Sequence, residues 1–155
     1  MDTQSQGQLR AFQDGFRWNQ VALHPYKEDD AAPFKSITRQ TLFNDPGFGC
    51  ELRYFEMAAG GHSSLERHAH MHAVLILRGA GHCLLGDTVR EVRQNDLVTI
   101  PPWLWHQFRA TAGAPMGFLC MVNQLRDKPV LPSAAELAEL ARDPAVAAFL
   151  AGTAR

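Results

Sequence analysis

From residue 34 to residue 123 the chain alternates short apolar-rich runs with turn residues, and no helical period is sustained. Residues 36–43 form the first such run. It ends at Asn44-Asp45-Pro46-Gly47, where Asx, Pro and Gly each favour turn dihedrals. Residues 50–57 alternate as a half-buried strand does, and Gly60-Gly61 is expected to close that strand. Residues 73–77 are an apolar run stopped by Gly79 and Gly81. Residues 83–85 and 88–92 read as a hairpin turning at Gly86-Asp87. Residues 97–100 run into Pro101-Pro102, which ends pairing, and residues 117–122 make a last strand. Only the tail changes period. Ser133 and Glu136 have capping-box spacing, Leu137, Leu140 and Ala141 follow at helical intervals, and Asp143-Pro144 opens a second stretch through Val146, Phe149 and Leu150. Residues 1–35 hold no period and are broken by Pro25, Pro33 and Glu28-Asp29-Asp30. The pattern predicts an N-terminal extension (1–35), an all-β sandwich or barrel (36–128) and a short helical tail (129–155).

Composition narrows this little. A chain of 155 residues with 46% hydrophobic and 20% charged side chains is one globular domain with a real core. Fifteen basic and sixteen acidic residues leave a net charge of −1, which argues against a nucleic-acid or anionic-membrane surface. The polar N-terminus lacks a signal-peptide pattern, no apolar run approaches a membrane span, and a cytoplasmic location is expected. Cys50, Cys83 and Cys120 form no C-x-x-C pair and read as buried, reduced thiols.

Candidate chemistry concentrates in one place. Of seven histidines, four (His62, His68, His70 and His72) fall between Gly61 and Ala73. Glu66, His68, His70 and His72 occupy alternate positions, so an extended backbone would put them on one face. On an inward face, four polar groups would be costly without a partner, and a divalent metal is the simplest one. A straight strand rises roughly 3.3 Å per residue, so positions four apart lie about 13 Å apart and cannot converge on one ion. The chain must turn within the stretch, and a further ligand must come from elsewhere. His106, after Pro101-Pro102-Trp103-Leu104-Trp105, is the candidate, whereas His24 and His82 read as structural or exposed.

These segments resemble the paired motifs of the cupin superfamily. The first, G-x5-H-x-H-x3-4-E-x6-G, is filled by Gly60, Glu66, His68, His72 and Gly79, with Glu66 where the usual first histidine stands and His72 where the glutamate stands. The second, G-x5-P-x-G-x2-H-x3-N, is filled by Asn95, Pro101, Trp103, His106 and Ala110. Asn tolerates the left-handed backbone, and Trp103 is the larger departure. Leu65-Glu66-Arg67-His68-Ala69-His70-Met71-His72 is also similar to a segment of small bacterial members. The resemblance covers roughly residues 50–122. It implies a double-stranded β-helix, or jelly-roll barrel, carrying one motif pair, and it suggests a homodimer. It also implies one divalent transition metal per chain (Fe, Mn, Ni or Zn) on Glu66, His68, His72 and His106, with His70 as alternate ligand or supporting group.

Such a site has open metal positions for a substrate and O₂, so an Fe- or Mn-dependent dioxygenase acting on a small organic molecule is one expectation. A non-catalytic small-molecule or metal-binding module is the other. A DNA-binding regulator and a metal-free epimerase fit less well. Met71, Trp103, Trp105, Phe108 and Met121 either line the pocket or form barrel core. Arg53, Arg67 and Arg109 either meet a substrate carboxylate or face solvent. Glu51, Tyr54, Glu56 and His70 are the candidate acids and bases.

Overall fold

In the computed structural model, which describes residues 7–27 and 34–154, the alternating segment beginning at Cys50 becomes the strand around which the sheet is built. In chain order the strands are β1 (Phe12–Gln13), β2 (Arg17–Trp18), β3 (His24–Pro25), β4 (Lys35–Asp45), β5 (Cys50–His62), β6 (His72–Arg78), β7 (Ala80–Leu85), β8 (Thr88–Arg93), β9 (Leu97–Ile100), β10 (His106–Ala110) and β11 (Met116–Asn123). Helices α1 (Ala134–Leu140) and α2 (Pro144–Leu150) follow. The main sheet runs β8-β7-β10-β5-β11-β6-β9, with β4 also on β5 and β3 on β4. Its ladders are antiparallel, and it curls into the expected jelly-roll form. The breaks expected at Glu28-Asp29-Asp30 and Pro33 lie outside the described residues.

The turn after β4 forms as its residues dictate. Asp45 Oδ1 accepts from the amides of Gly47 (2.8 Å) and Phe48 (3.2 Å), and β5 starts at Cys50. Gly60-Gly61, however, does not end β5, which continues to His62 and there meets Arg109 of β10. A Cβ on Gly61 would lie within 2.8–2.9 Å of the carbonyl oxygens of Lys35, Ala58 and Ser36, and Gly60 has φ +70°. The pair lets the strand pass close to its neighbours as an irregularity, where a turn was expected. The short strands β1, β2 and β3 and strand β10 are elements the pattern did not suggest; Pro101-Pro102 and two tryptophans precede β10.

Inward-facing Ile37, Phe55, Met57, Val74, Ile76, Phe108 and Phe118 fill the barrel. Outer faces are covered locally. Tyr54, on the opposite side of β5 from Phe55, stacks with Phe16 (5.7 Å) and packs on Trp18 (5.0 Å), so the β1–β2 hairpin closes that face. Strand β7 is buried on both sides: Cys83 points into the barrel, and Leu84 points under the helices with Leu65, Val146 and Phe149. Burying Val146 and Phe149 contributes roughly 1.5–3 kcal/mol each, so the tail is a second wall of the fold. Both helix starts are as predicted, a Ser133/Glu136 capping box and Asp143 capping α2 with Pro144 in its first turn. No helix among the described residues is long and apolar enough to cross a membrane.

Candidate metal centre

After Leu65 the chain leaves regular pairing and is bent by contacts from three directions. Glu66 bridges His106 by two backbone hydrogen bonds, Arg67 bridges Val130, and the Trp103 amide donates to the His68 carbonyl at 2.8 Å. Asp127 accepts from the amides of Ala69 (2.8 Å) and His70 (3.1 Å), which folds the segment before β6 begins at His72. The alternate-position ladder is thereby broken, as the distance argument required. His68 from the bend, His72 from the start of β6 and His106 from the start of β10 converge, their ligand atoms all within 4.8 Å of one another.

The rings are oriented from behind. His68 Nδ1 donates to the His70 carbonyl (2.7 Å) and His106 Nδ1 to the Leu104 carbonyl (2.9 Å). His72 Nδ1 meets the Cys120 thiol at 3.3 Å. His68 Nε2 and His72 Nε2 face each other at 2.8 Å. Adjacent nitrogens around an ion bound at about 2.0–2.1 Å stand roughly 3 Å apart, so the donor set and its spacing fit a divalent metal. Burial first, and then the neighbouring histidines, depress the His68 pKa to about 4 and that of His72 to about 2, and burial lowers His106 as well. All three are neutral at pH 7, the state a metal requires.

These depressed values predict how the metal-free protein responds to acid. An unfolded histidine titrates near 6.5, so below that pH the unfolded chain binds protons that buried His68 and His72 refuse. Stability falls by up to about 1.4 kcal/mol per pH unit for each. The urea midpoint of chelator-treated protein is expected to be lower at pH 5.5 than at pH 7.5. An unchanged or higher midpoint would contradict the buried, neutral assignment.

Glu66 stands beside the triad but outside that group of ligand atoms. Its Oε2 accepts from Lys27 Nζ (2.6 Å) and Ser64 Oγ (2.5 Å). Burial alone would raise its pKa, but Lys27, Ser64 and His106 hold it below the usual carboxylate range. His70 stacks on His68 at 3.6 Å and hydrogen-bonds Asp127 Oδ1 through Nδ1 (2.7 Å), so His68, His70 and Asp127 form a second potential ligand group at the rim.

His72 and His106 of the triad open into a cavity of about 190 Å³, walled also by His70, Phe55, Phe108, Phe118, Cys120 and Arg53. Of the expected pocket residues only Phe108 is here. Met71 and Met121 are half exposed and line a separate outer cleft with Phe48, because Met121 points the opposite way from Cys120 on β11. Trp103 is half exposed at φ +63°, taking the left-handed backbone of the motif's glycine position, as Asn95 does at φ +74°. Trp105 turns away to the helices, under the Arg67 guanidinium at 4.3 Å. Arg67 pairs with Glu136 (2.8 Å), and Arg109 lies over Phe149 and donates to the Leu150 carbonyl, so neither meets the cavity. Tyr54 and Glu56 bond each other on the outer face of β5, where Glu56 also pairs with Arg78. Glu51 is held by Arg126 (2.6 Å). His24 is exposed, and His62 and His82 are half-buried away from the triad.

Several wall residues were not anticipated. Tyr26 and Lys27 arrive from the N-terminal segment, and Arg126 and Asp127 from the chain beyond β11. Cys83 and Cys120 are buried as expected, whereas Cys50 is only half-buried. Cys120 has a second attribute, since its thiol faces the cavity. The signal was available in the parity of β11, which puts Phe118, Cys120 and Val122 on one face.

Comparison with known proteins gives a consistent answer. A family profile described as "Cupin domain" matches residues 53–122. A Rhodospirillum rubrum protein named 1-methylthio-D-xylulose 5-phosphate methylsulfurylase is 56% identical over 153 residues, covering 99% of this chain and 98% of its own. A crystal structure of a cupin-2 domain from Rhodospirillum rubrum superposes with TM-score 0.86 at 58% identity, over 95% of this chain and 99% of that one. A cupin 2 conserved barrel domain protein from Rhodopseudomonas palustris does so with TM-score 0.86 at 56% identity, over 92% and 98%.

Proposed function

Because the chain belongs to the cupin superfamily and resembles a named methylsulfurylase along almost its whole length, we propose that it removes the methylthio group from a 1-methylthio ketopentose 5-phosphate. The observation that carries this reading is the position of Cys120. Its Sγ lies in the triad's cavity, 3.3 Å from His72 Nδ1 and 3.6 Å from an Arg53 guanidinium nitrogen.

The chemistry follows from the bond to be broken. The methylthio sulfur is attached to a carbon next to a carbonyl, so that carbon can leave with the bonding electron pair as an enolate. The sulfur must then be taken by a nucleophile, and thiolates are the nucleophiles that attack divalent sulfur. In this cavity that group is Cys120. Its sulfur bonds to the methylthio sulfur, the carbon–sulfur bond breaks, a proton adds to the carbon, and Cys120 is left as a methyl disulfide. A small-molecule thiol from solution then exchanges with that disulfide, restoring Cys120 and carrying away the methylthio group as a mixed disulfide. The substrate carbon is reduced by the two electrons the thiols lose.

Burial raises the Cys120 pKa, and Arg53 opposes that rise. A divalent metal on His68, His72 and His106 would supply Lewis acidity toward a carbonyl oxygen. Phe55, Phe108 and Phe118 give the cavity around the sulfur an apolar wall. This reading differs from oxygenase chemistry in needing no O₂. The test is anaerobic incubation of metal-loaded protein with 1-methylthio-xylulose 5-phosphate and a thiol. Release of a 1-deoxy ketose phosphate with a stoichiometric methyl mixed disulfide is expected, and strict dependence on O₂ would overturn the proposal.

A further inference from the structure

The cavity wall gathers four Lys and Arg side chains and two carboxylates. Lys27, Arg39, Arg53 and Arg126 line it, against Glu66 and Asp127. Lys27 is spent on Glu66 and Arg126 pairs with Glu51, while Asp127 is occupied by His70 and two backbone amides. Arg53 is different. Among the described residues it makes no ion pair: it reaches only the Cys120 sulfur at 3.6 Å and lies over the Phe55 ring at 5.0 Å, and its Nε is buried without a hydrogen-bond partner. A guanidinium held against an aromatic ring and a thiol, facing a cavity, is set up for an anion that comes and goes.

Strand register shows which cation stands nearest. Arg53 pairs with Thr41 and Phe55 with Arg39 across β4 and β5, so Arg39 and Arg53 are diagonal neighbours on the inward face. Diagonal neighbours lie about 7–8 Å apart at the backbone, within reach of one group for two long side chains. Arg126 approaches the same face from beyond β11 through Glu51, which lies two residues before Arg53 on β5.

We infer that Arg39 and Arg53, with Arg126 behind them, form a cradle for the dianionic phosphate of a phosphate monoester, fixing the ligand's length between that cradle and the His triad. The inference rests on the proposed function for the ligand's sugar part, but the cradle is tested separately from the reaction. Arginine is the residue type for this task, because its planar fork meets two phosphate oxygens at once.

The experiment measures binding by calorimetry, with the metal-loaded protein and two probes, xylulose 5-phosphate and unphosphorylated xylulose. Wild type is expected to bind the phosphate ester at least tenfold more tightly. Arg39→Gln should weaken that ester by roughly 10–100-fold while leaving the free sugar and the metal content unchanged. Arg39→Lys keeps the charge, loses the fork and should fall between the two. Arg126→Gln, a change at a partly exposed residue, supplies a second variant should Arg39→Gln fold poorly, and should also weaken the ester. Equal affinity of wild type for both probes, or full ester affinity in folded Arg39→Gln and Arg126→Gln, would overturn the cradle. Methylthio release separates the two ideas. Release at unchanged KM in both variants removes the cradle and leaves the reaction. Phosphate discrimination without any release removes the reaction and leaves the cradle.

Discussion

Cys120→Ser is expected to lower methylthio removal by at least about a thousandfold while leaving fold and metal content at wild-type levels. Serine matches cysteine closely in shape, and its hydroxyl can keep the contact with His72 Nδ1 seen for the thiol. What it lacks is the ability to attack divalent sulfur, since a hydroxyl at pH 7 is neither ionised nor polarisable enough. A purely packing role for this buried side chain would leave the rate almost unmoved. A second readout makes the test sharper. With substrate but no added thiol, intact-mass measurement should find a methylthio adduct on wild type and none on Cys120→Ser. Cys83→Ser is the control: Cys83 belongs to the barrel core, its thiol pushed up to about 12 by burial, and it is not among the residues of the cavity wall. An adduct that persists in Cys120→Ser would remove Cys120 from the mechanism.

The second large effect concerns the triad. Purified wild type is expected to carry about one transition metal per chain. His68→Ala and His106→Ala should each lower affinity for it by about a hundredfold or more, because second-sphere changes alone reach that size. Each ring is buried, so the alanine variants leave space in the site, and His68→Gln and His106→Gln serve as fuller replacements. Elemental analysis and activity after metal loading provide the check. Equal metal in wild type and all four variants would dissolve the centre. Glu66→Gln belongs in the same series. Its carboxylate is held by Lys27 and Ser64, so retained metal in that variant would mark Glu66 as a wall residue, and lost metal as a ligand.

The sequence carried the barrel well where the physics is local. The Asp45 turn, the Gly86-Asp87 hairpin, the Ser133 cap and the position of α2 follow from residues adjacent in the chain, and each formed as read. Local reading failed where tertiary contact decides. Gly60-Gly61 carries a turn's composition but serves close strand packing. Strand β10 alternates His106, Phe108 and Ala110 inward with Gln107 and Arg109 outward, yet the prolines before it mark a stop and no adjacent residue marks the restart. At the site, the motif frame joins Glu66, His68, His72 and His106, and the structure gathers the three imidazoles while Glu66 stands beside them on Lys27 and Ser64. Lys27, Arg126 and Asp127 carry no spacing signal, because they reach the cavity from outside the motif frame. Trp105 packs under the helices and Met121 stands half exposed at an outer cleft, because hydrophobic character alone does not say which way a side chain points.

His72 has a consequence of its own, because one imidazole stands between ligand position and thiol. The His68 ring carries its proton on Nδ1, so its Nε2 offers a lone pair, and His72 Nε2, 2.8 Å away, must carry a proton for the two to coexist without metal. His72 Nδ1 is then bare and accepts from the Cys120 S–H. A cation held on His72 Nε2 would move the ring's proton to Nδ1, which would then face the sulfur as a donor. The ring would thus have two settings, one favouring the thiol and the other the thiolate. Linkage then runs both ways, so whatever the ion does to the sulfur's acidity, ionised sulfur does in equal measure to the ion's hold on the protein.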